Sequence, residues 1–251
     1  MATVKKAKSI AETGHVKNAD NFTKLVIEIS GFSTYNATAP DLTVPSLQAK
    51  DTAVQAKMLA VDTDEGAWKD FINARQVVYE LMPTLSSRAV GIMASQDTKA
   101  KIIKDLRGIV KKIEGKRAAK LPVEPNPDAK TIKTISAAQT SFDQRKDHFL
   151  KLISLLQTQP TYTPAEADLT IVALKAYVNT TVKNANTNVN TAAKNLFKSR
   201  KERNIELYAN KTGAVNIALR VKEYVKGMLP AGAQSAEYKR IKHIAFRNLM
   251  P

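Results

Sequence analysis

The sequence predicts an all-α protein made of two tandem, homologous antiparallel helical bundles joined by a proline-containing linker. Three observations carry that expectation. Apolar residues recur at helical spacing along most of the 251 residues, with no sustained period-two alternation of the kind a strand requires. A set of short motifs recurs at one ungapped offset of 127 residues, the mark of an internal repeat. Three prolines crowd the stretch Leu121-Pro122-Val123-Glu124-Pro125-Asn126-Pro127-Asp128, which neither a helix nor a central strand tolerates. The boundaries that follow are 1–120 for module A, 121–134 for the linker and 135–251 for module B.

The repeat is specific. Asn21-Phe22-Thr23-Lys24-Leu25-Val26 matches His148-Phe149-Leu150-Lys151-Leu152-Ile153. Thr34-Tyr35 matches Thr161-Tyr162, and Asp41-Leu42-Thr43-Val44 matches Asp168-Leu169-Thr170-Ile171. Leu47 and Ala49 match Leu174 and Ala176. A shared helical pattern would explain the leucines but not Thr-Tyr and Asp-Leu-Thr in the same register. Tandem duplication explains all of them.

Each module opens with a helix: Val16, Ala19, Phe22, Leu25, Val26 and Ile29 form one face in A, stopped by Gly31. In B the face is Phe142, Phe149, Leu152, Ile153 and Leu156, stopped before Pro160. A loop then carries Tyr35 or Tyr162, each expected to pack over the loop and bond to backbone. Thr163-Pro164-Ala165-Glu166 has the chemistry of a helix start. A long helix with a heptad seam follows. It is marked by Leu47, Val54, Val61 and Trp68 in A, joined by Met58 and Ile72, and by Val178, Val182, Ala185, Val189, Ala192 and Leu196 in B. Asn and Thr crowd 184–191, and Asp62-Thr63-Asp64-Glu65-Gly66 sits at the matching place, so a kink or turn is expected at both. A closing helix ends each module, that of B striped by Val215, Ala218, Val221, Val225 and Met228.

Composition narrows the chemistry. Cysteine is absent, which excludes disulfides, thiol catalysis and cysteine-based metal sites and fits a cytoplasmic protein. No secretory signal and no apolar run of membrane-spanning length is read. His15, His148 and His243 lie far apart, with no carboxylate at ligand spacing, so no metal site is expected. His148 reads as a surface or loop-bonding side chain. No phosphate-binding glycine loop and no nucleophile elbow occurs. Asp62, Asp64 and Glu65 read as dipole complements at a helix start. No catalytic residues and no cofactor are expected, and the chain reads as non-enzymatic.

The formal net charge is +16, but it is unevenly spread. Residues 19–98 carry 6 basic and 10 acidic side chains, whereas 99–120 carry 9 basic and 2 acidic. Turned at about 100° per residue, the helix from Lys99 onward places Ile102, Ile103, Leu106, Ile109, Val110 and Ile113 on one face. Lys101, Lys104, Arg107, Lys111 and Lys112 fall on the other, and Lys116, Arg117 and Lys120 extend the charge into the linker. A second cluster in module B comprises Lys194, Lys198, Arg200, Lys201 and Arg203. Flexible cations on a solvated ridge suit phosphate contacts, which need charge more than geometry. Two such clusters on one chain could grip a polyanion bivalently.

The duplicated pattern is Asn/His-Phe-x-Lys-Leu, Thr-Tyr and Asp-Leu-Thr, then a helix ending in Arg203-Asn204-x-x-Leu207-Tyr208. It resembles an uncharacterised family of bacterial helical proteins with no established activity. The resemblance spans nearly the whole chain and implies the helical fold and a bacterial source, but no catalytic residues. The expected function is sequence-nonspecific nucleic-acid binding. The alternatives are a structural protein that self-associates through its helices as a homo-oligomer, and a binder of anionic membrane surfaces.

Overall fold

The computed structural model describes residues 13–96, 99–115 and 141–249. The linker and Lys116, Arg117 and Lys120 lie outside them. All regular structure among the described residues is helical. In chain order the helices are α1 (Thr13–Ser30), α2 (Val44–Ser95), α3 (Ala100–Ile113), α4 (Phe142–Gln157), α5 (Ile171–Ala176), α6 (Lys183–Tyr208), α7 (Ala214–Met228) and α8 (Ala236–Ile241). One π-helical stretch, Tyr177–Val182, joins α5 to α6, and single 3₁₀ turns at Pro40–Leu42 and Ala167–Leu169 precede α2 and α5. No described helix is long and apolar enough to cross a membrane.

The chain divides into two compact units, and the division does not follow the linker. Unit 1 combines Met1–Trp68 with Ala192–Pro251, and unit 2 is the continuous stretch Lys69–Thr191. The physical reason lies in the long helices. α2 enters unit 1 at its start and unit 2 at its end, and α6 does the reverse. Each unit therefore takes one part from before the linker and one from after it.

The core of unit 1 gathers Phe22, Leu25 and Ile29 of α1, Leu47 and Val54 of α2, and Ala218, Val221 and Val225 of α7. Ile241 of α8 and Ile244 close it. Outside that core, α2 and α6 are tied by charge. Lys50 bonds Glu206 at 2.7 Å, Lys57 bonds Glu202 at 2.8 Å, and Arg200 bonds Glu65 at 3.2 Å. Ser199 donates to Asp64. Partners rising in number along α2 and falling along α6 make this pair antiparallel.

The core of unit 2 gathers Tyr79, Met82 and Met93 of α2, Leu106 and Ile113 of α3, and Phe149, Leu152 and Leu156 of α4. Leu174, Val178 and Val182 complete it. Burying each such aliphatic or aromatic side chain contributes about 1.5–3 kcal/mol. α2 carries Pro83 in its interior. Proline has no N–H, so the carbonyl four residues earlier loses its helical donor. That carbonyl belongs to Tyr79, and the Arg145 guanidinium donates to it at 2.6 Å. The hydroxyl of Tyr177 donates to the neighbouring carbonyl of Val78. The backbone defect in α2 is thus satisfied from α4, and Tyr177 of the π-helical stretch adds a bond one residue earlier.

Several local expectations change. Both expected break points, 62–66 and 184–191, are helical throughout, so neither is a turn between two helices. Packing outweighs the weak propensity of the Asn/Thr run: Val182 and Val189 are buried, and Asn186 donates to the Tyr79 hydroxyl at 2.9 Å. At 62–66 the bonds from Ser199 and Arg200 hold the helix. Thr163-Pro164-Ala165-Glu166 is not a helix start. Thr170 caps instead, its hydroxyl accepting from the Ala173 amide at 3.1 Å, so the repeated Asp-Leu-Thr motif is a 3₁₀ turn running into a cap. Val16 is 45% exposed rather than core. Trp68, placed on the seam, is only half-buried. His148, read as a surface residue, is buried.

The two tyrosines behave alike. The Tyr35 hydroxyl donates to the Leu42 carbonyl at 2.6 Å, and Tyr162 donates to Leu169 at 2.7 Å. Burial pushes both phenols up to about 12. The aspartate of each 3₁₀ turn also repeats its role: Asp41 pairs with Arg220 in unit 1, and Asp168 pairs with Arg88 in unit 2.

Candidate nucleic-acid interface

α3 is an amphipathic helix whose two faces separate cleanly. Ile103, Leu106, Val110 and Ile113 are buried in unit 2, largely against α4. Lys101, Lys104, Arg107, Lys111 and Lys112 are all exposed. Among the described residues none of these five forms an ion pair with a carboxylate. This is the face the sequence places there, and the structure brings all five together on one solvated ridge. Lys111 and Lys112 also stand in the last turn, where cations complement the helix dipole.

Exposed positive charge does not end at α3. His148 on α4 is buried, and its pKa is held below the ordinary histidine value, first by desolvation and then by the charges of Lys112 and Lys151. Asp147 opposes that shift without cancelling it. Lys151 is exposed on α4 and, with Lys112, is one of the two cations that depress His148. Sequence reasoning missed Lys151 because it sits inside the repeated core motif of α4. The available signal was its exposed register, one residue after the outward-facing Leu150.

The second cluster is less uniform. Lys194 and Lys201 are exposed. Lys198 is exposed but lies 3.8 Å from Glu202, and Arg200 is paired to Glu65. Arg203 is buried, with its guanidinium bonding the Asn204 side chain at 3.0 Å. In this cluster two cations are solvated, two are engaged with carboxylates and one is packed inside unit 1.

Two concavities lie in unit 2. An open one of about 570 Å³ on α4 is lined by Asp147, Lys151, Ser154 and Thr158 beside Leu150 and Leu155. A cleft of about 400 Å³ in unit 2 is lined by Leu81, Leu85, Ala173 and Tyr177, with the Arg88–Asp168 pair at its edge. Among the described residues no three His, Asp or Glu side chains gather as a metal site would need.

The fold and this face define a class: an all-helical protein that presents a basic amphipathic helix on a packed bundle. No protein-family model, no curated protein and no solved structure matches the chain.

Proposed function

We propose that this is a non-enzymatic protein that binds nucleic acid without sequence preference. The observation that supports the reading is the α3 ridge: five exposed cations, without carboxylate partners among the described residues, on a helix whose opposite face is used in packing. Such a surface neutralises phosphates and releases counterions, and four of its five cations are lysines, which meet phosphates as point charges. Lys151 widens the face. Lys194 and Lys201 supply a second, smaller contribution from unit 1. A bacterial cytoplasm is the setting we propose for it.

The same proposal includes tandem duplication. The Tyr-to-carbonyl bond and the aspartate–arginine pair occur once in each unit, and both tyrosines and both aspartates obey the 127-residue offset.

The deciding experiment is binding to random-sequence duplex DNA across a salt series. It compares the natural chain with one carrying Lys101, Lys104, Arg107, Lys111 and Lys112 all changed to Gln. The expected result is a log–log salt slope shallower by about four units in the variant, since each phosphate left unneutralised removes about 0.9 from the slope. Equal slopes, or no binding by the natural chain at about 50 mM salt, would turn attention to self-association.

A further inference from the structure

Residues 13–115 and 141–249 are not two self-contained modules. Neither core can be assembled from one of them alone. In unit 1, α1 and the start of α2 bury Phe22, Leu25 and Val54 against Ala218, Val221 and Val225 of α7, from beyond the linker. In unit 2, α3 and the end of α2 bury Leu106, Met82 and Met93 against Phe149, Leu152 and Leu156 of α4. Specific bonds cross the same divide. Asn18 donates to the Arg247 carbonyl at 2.7 Å and Asn21 to Ala245 at 2.7 Å. Arg145 caps the Tyr79 carbonyl at 2.6 Å. Each half therefore offers two extensive apolar surfaces that only the other half covers.

We infer that these surfaces are exchangeable, and that their second partner is another copy of this chain: residues 13–115 of one copy take residues 141–249 of the other, giving a half-exchanged dimer. The inference rests on the contacts inside each unit and is independent of nucleic-acid binding. It requires no new interface, because every contact of the dimer is one already made within a single chain. What selects between the two forms is mass action. A linker gives the intramolecular partner an effective concentration near the millimolar range. Exchange therefore depends on how crowded the chains are while they fold, and not on how crowded they are afterwards.

Two full-length versions carrying different affinity tags test this. They are unfolded together in guanidinium and refolded at about 1 µM and at about 1 mM, one far below the linker's effective concentration and one comparable to it. After dilution to a common concentration, one tag is captured. The expected result is co-capture of the second tag only after the concentrated refolding, at a mass of two chains. Native versions mixed without unfolding should not co-capture. Equal co-capture without unfolding would mean ordinary surface association, and its absence at every concentration would mean the halves do not exchange. Either result overturns the inference. A second measurement uses a protease site inserted between Pro125 and Asn126 of the full chain. Cut in the folded state, the two fragments should elute together with unchanged helical signal. Their separation as two folded species would equally overturn it.

Discussion

Units 1 and 2 solve one packing problem with different electrostatics. Both anchor the loop before the long helix with a tyrosine bond to a carbonyl, and both clip the following 3₁₀ turn with an aspartate–arginine pair. Among the positions of the opening helix at which they diverge, two meet backbone carbonyls or the buried interior. Unit 1 has Asn18 and Asn21, which bond to the carbonyls of Arg247 and Ala245 and, through Asn18, to the Tyr208 hydroxyl. Unit 2 has Arg145 and His148 at the same offsets. The segment lying along α1 is non-helical at 242–249 and exposes backbone groups for asparagine to satisfy. At the matching place in unit 2, Arg145 donates to the Tyr79 carbonyl that Pro83 leaves without a helical donor, and His148 is buried.

The comparison is broken or sharpened first at the cores. Phe22 and Phe149 are counterparts and both fully buried. Phe22→Ala and Phe149→Ala should each cost about 3–5 kcal/mol in denaturant unfolding. A large asymmetry between them would mean that the two units do not share a packing scheme.

The next effect concerns Arg145. Arg145→Ala leaves the Tyr79 carbonyl without a donor in a partly buried place and should cost about 1–3 kcal/mol. Restoring the helical N–H with Pro83→Ala in the same chain should recover most of that loss in thermal melts. Failure to recover would assign the arginine's role to its stacking beside Tyr79, 5.8 Å away, rather than to the carbonyl.

Tyr35→Phe and Tyr162→Phe each remove one hydrogen bond and should cost about 1 kcal/mol, equally in both units if the tyrosine is pure scaffold. A loss of DNA binding in either variant with stability unchanged would give that tyrosine a ligand role.

The smallest effect is on protonation. His148 has a folded pKa below its ordinary value, so the unfolded chain binds its proton first as pH falls. Its contribution to stability is complete above the ordinary histidine value of about 6.5 and is lost as the pH drops from there through the folded value. His148→Asn, which restores the unit 1 residue, should flatten that part of the stability profile. In an NMR titration, duplex DNA should move the His148 midpoint upward by offsetting Lys112 and Lys151, while His15 in unit 1 stays in place. An unmoved His148 with DNA bound would put the contact elsewhere.

Much of this was legible in sequence. The periodicity marks the helices, and the offset of 127 residues finds the paired tyrosines and aspartates. The two faces of α3 follow from turning Lys99 to Ile113 about a helix axis. Three things were not legible. Asn184 to Thr191 reads as a breaker because propensity is local, whereas Val189 and Asn186 are held by contacts the sequence does not display. Arg203 reads as one of a basic cluster, and only the packed structure turns it inward. The division into units is hidden because a run of prolines in the sequence does not say which distant segments share a core.

That division has a consequence for the order in which the protein is made. Unit 2 is contiguous, so all its residues have been synthesised once Thr191 is added. Unit 1 is the first begun and the last finished. Phe22, Leu25 and Ile29 emerge early, but Val221 and Val225, which cover them, are added some two hundred residues later. At about 5–20 residues per second, that apolar stripe waits roughly ten to forty seconds for its partner. The nascent chain thus passes through a stage in which one unit is closed and α1 is still uncovered. It is in that interval that chaperones, or a neighbouring chain on the same message, meet the protein at its stickiest.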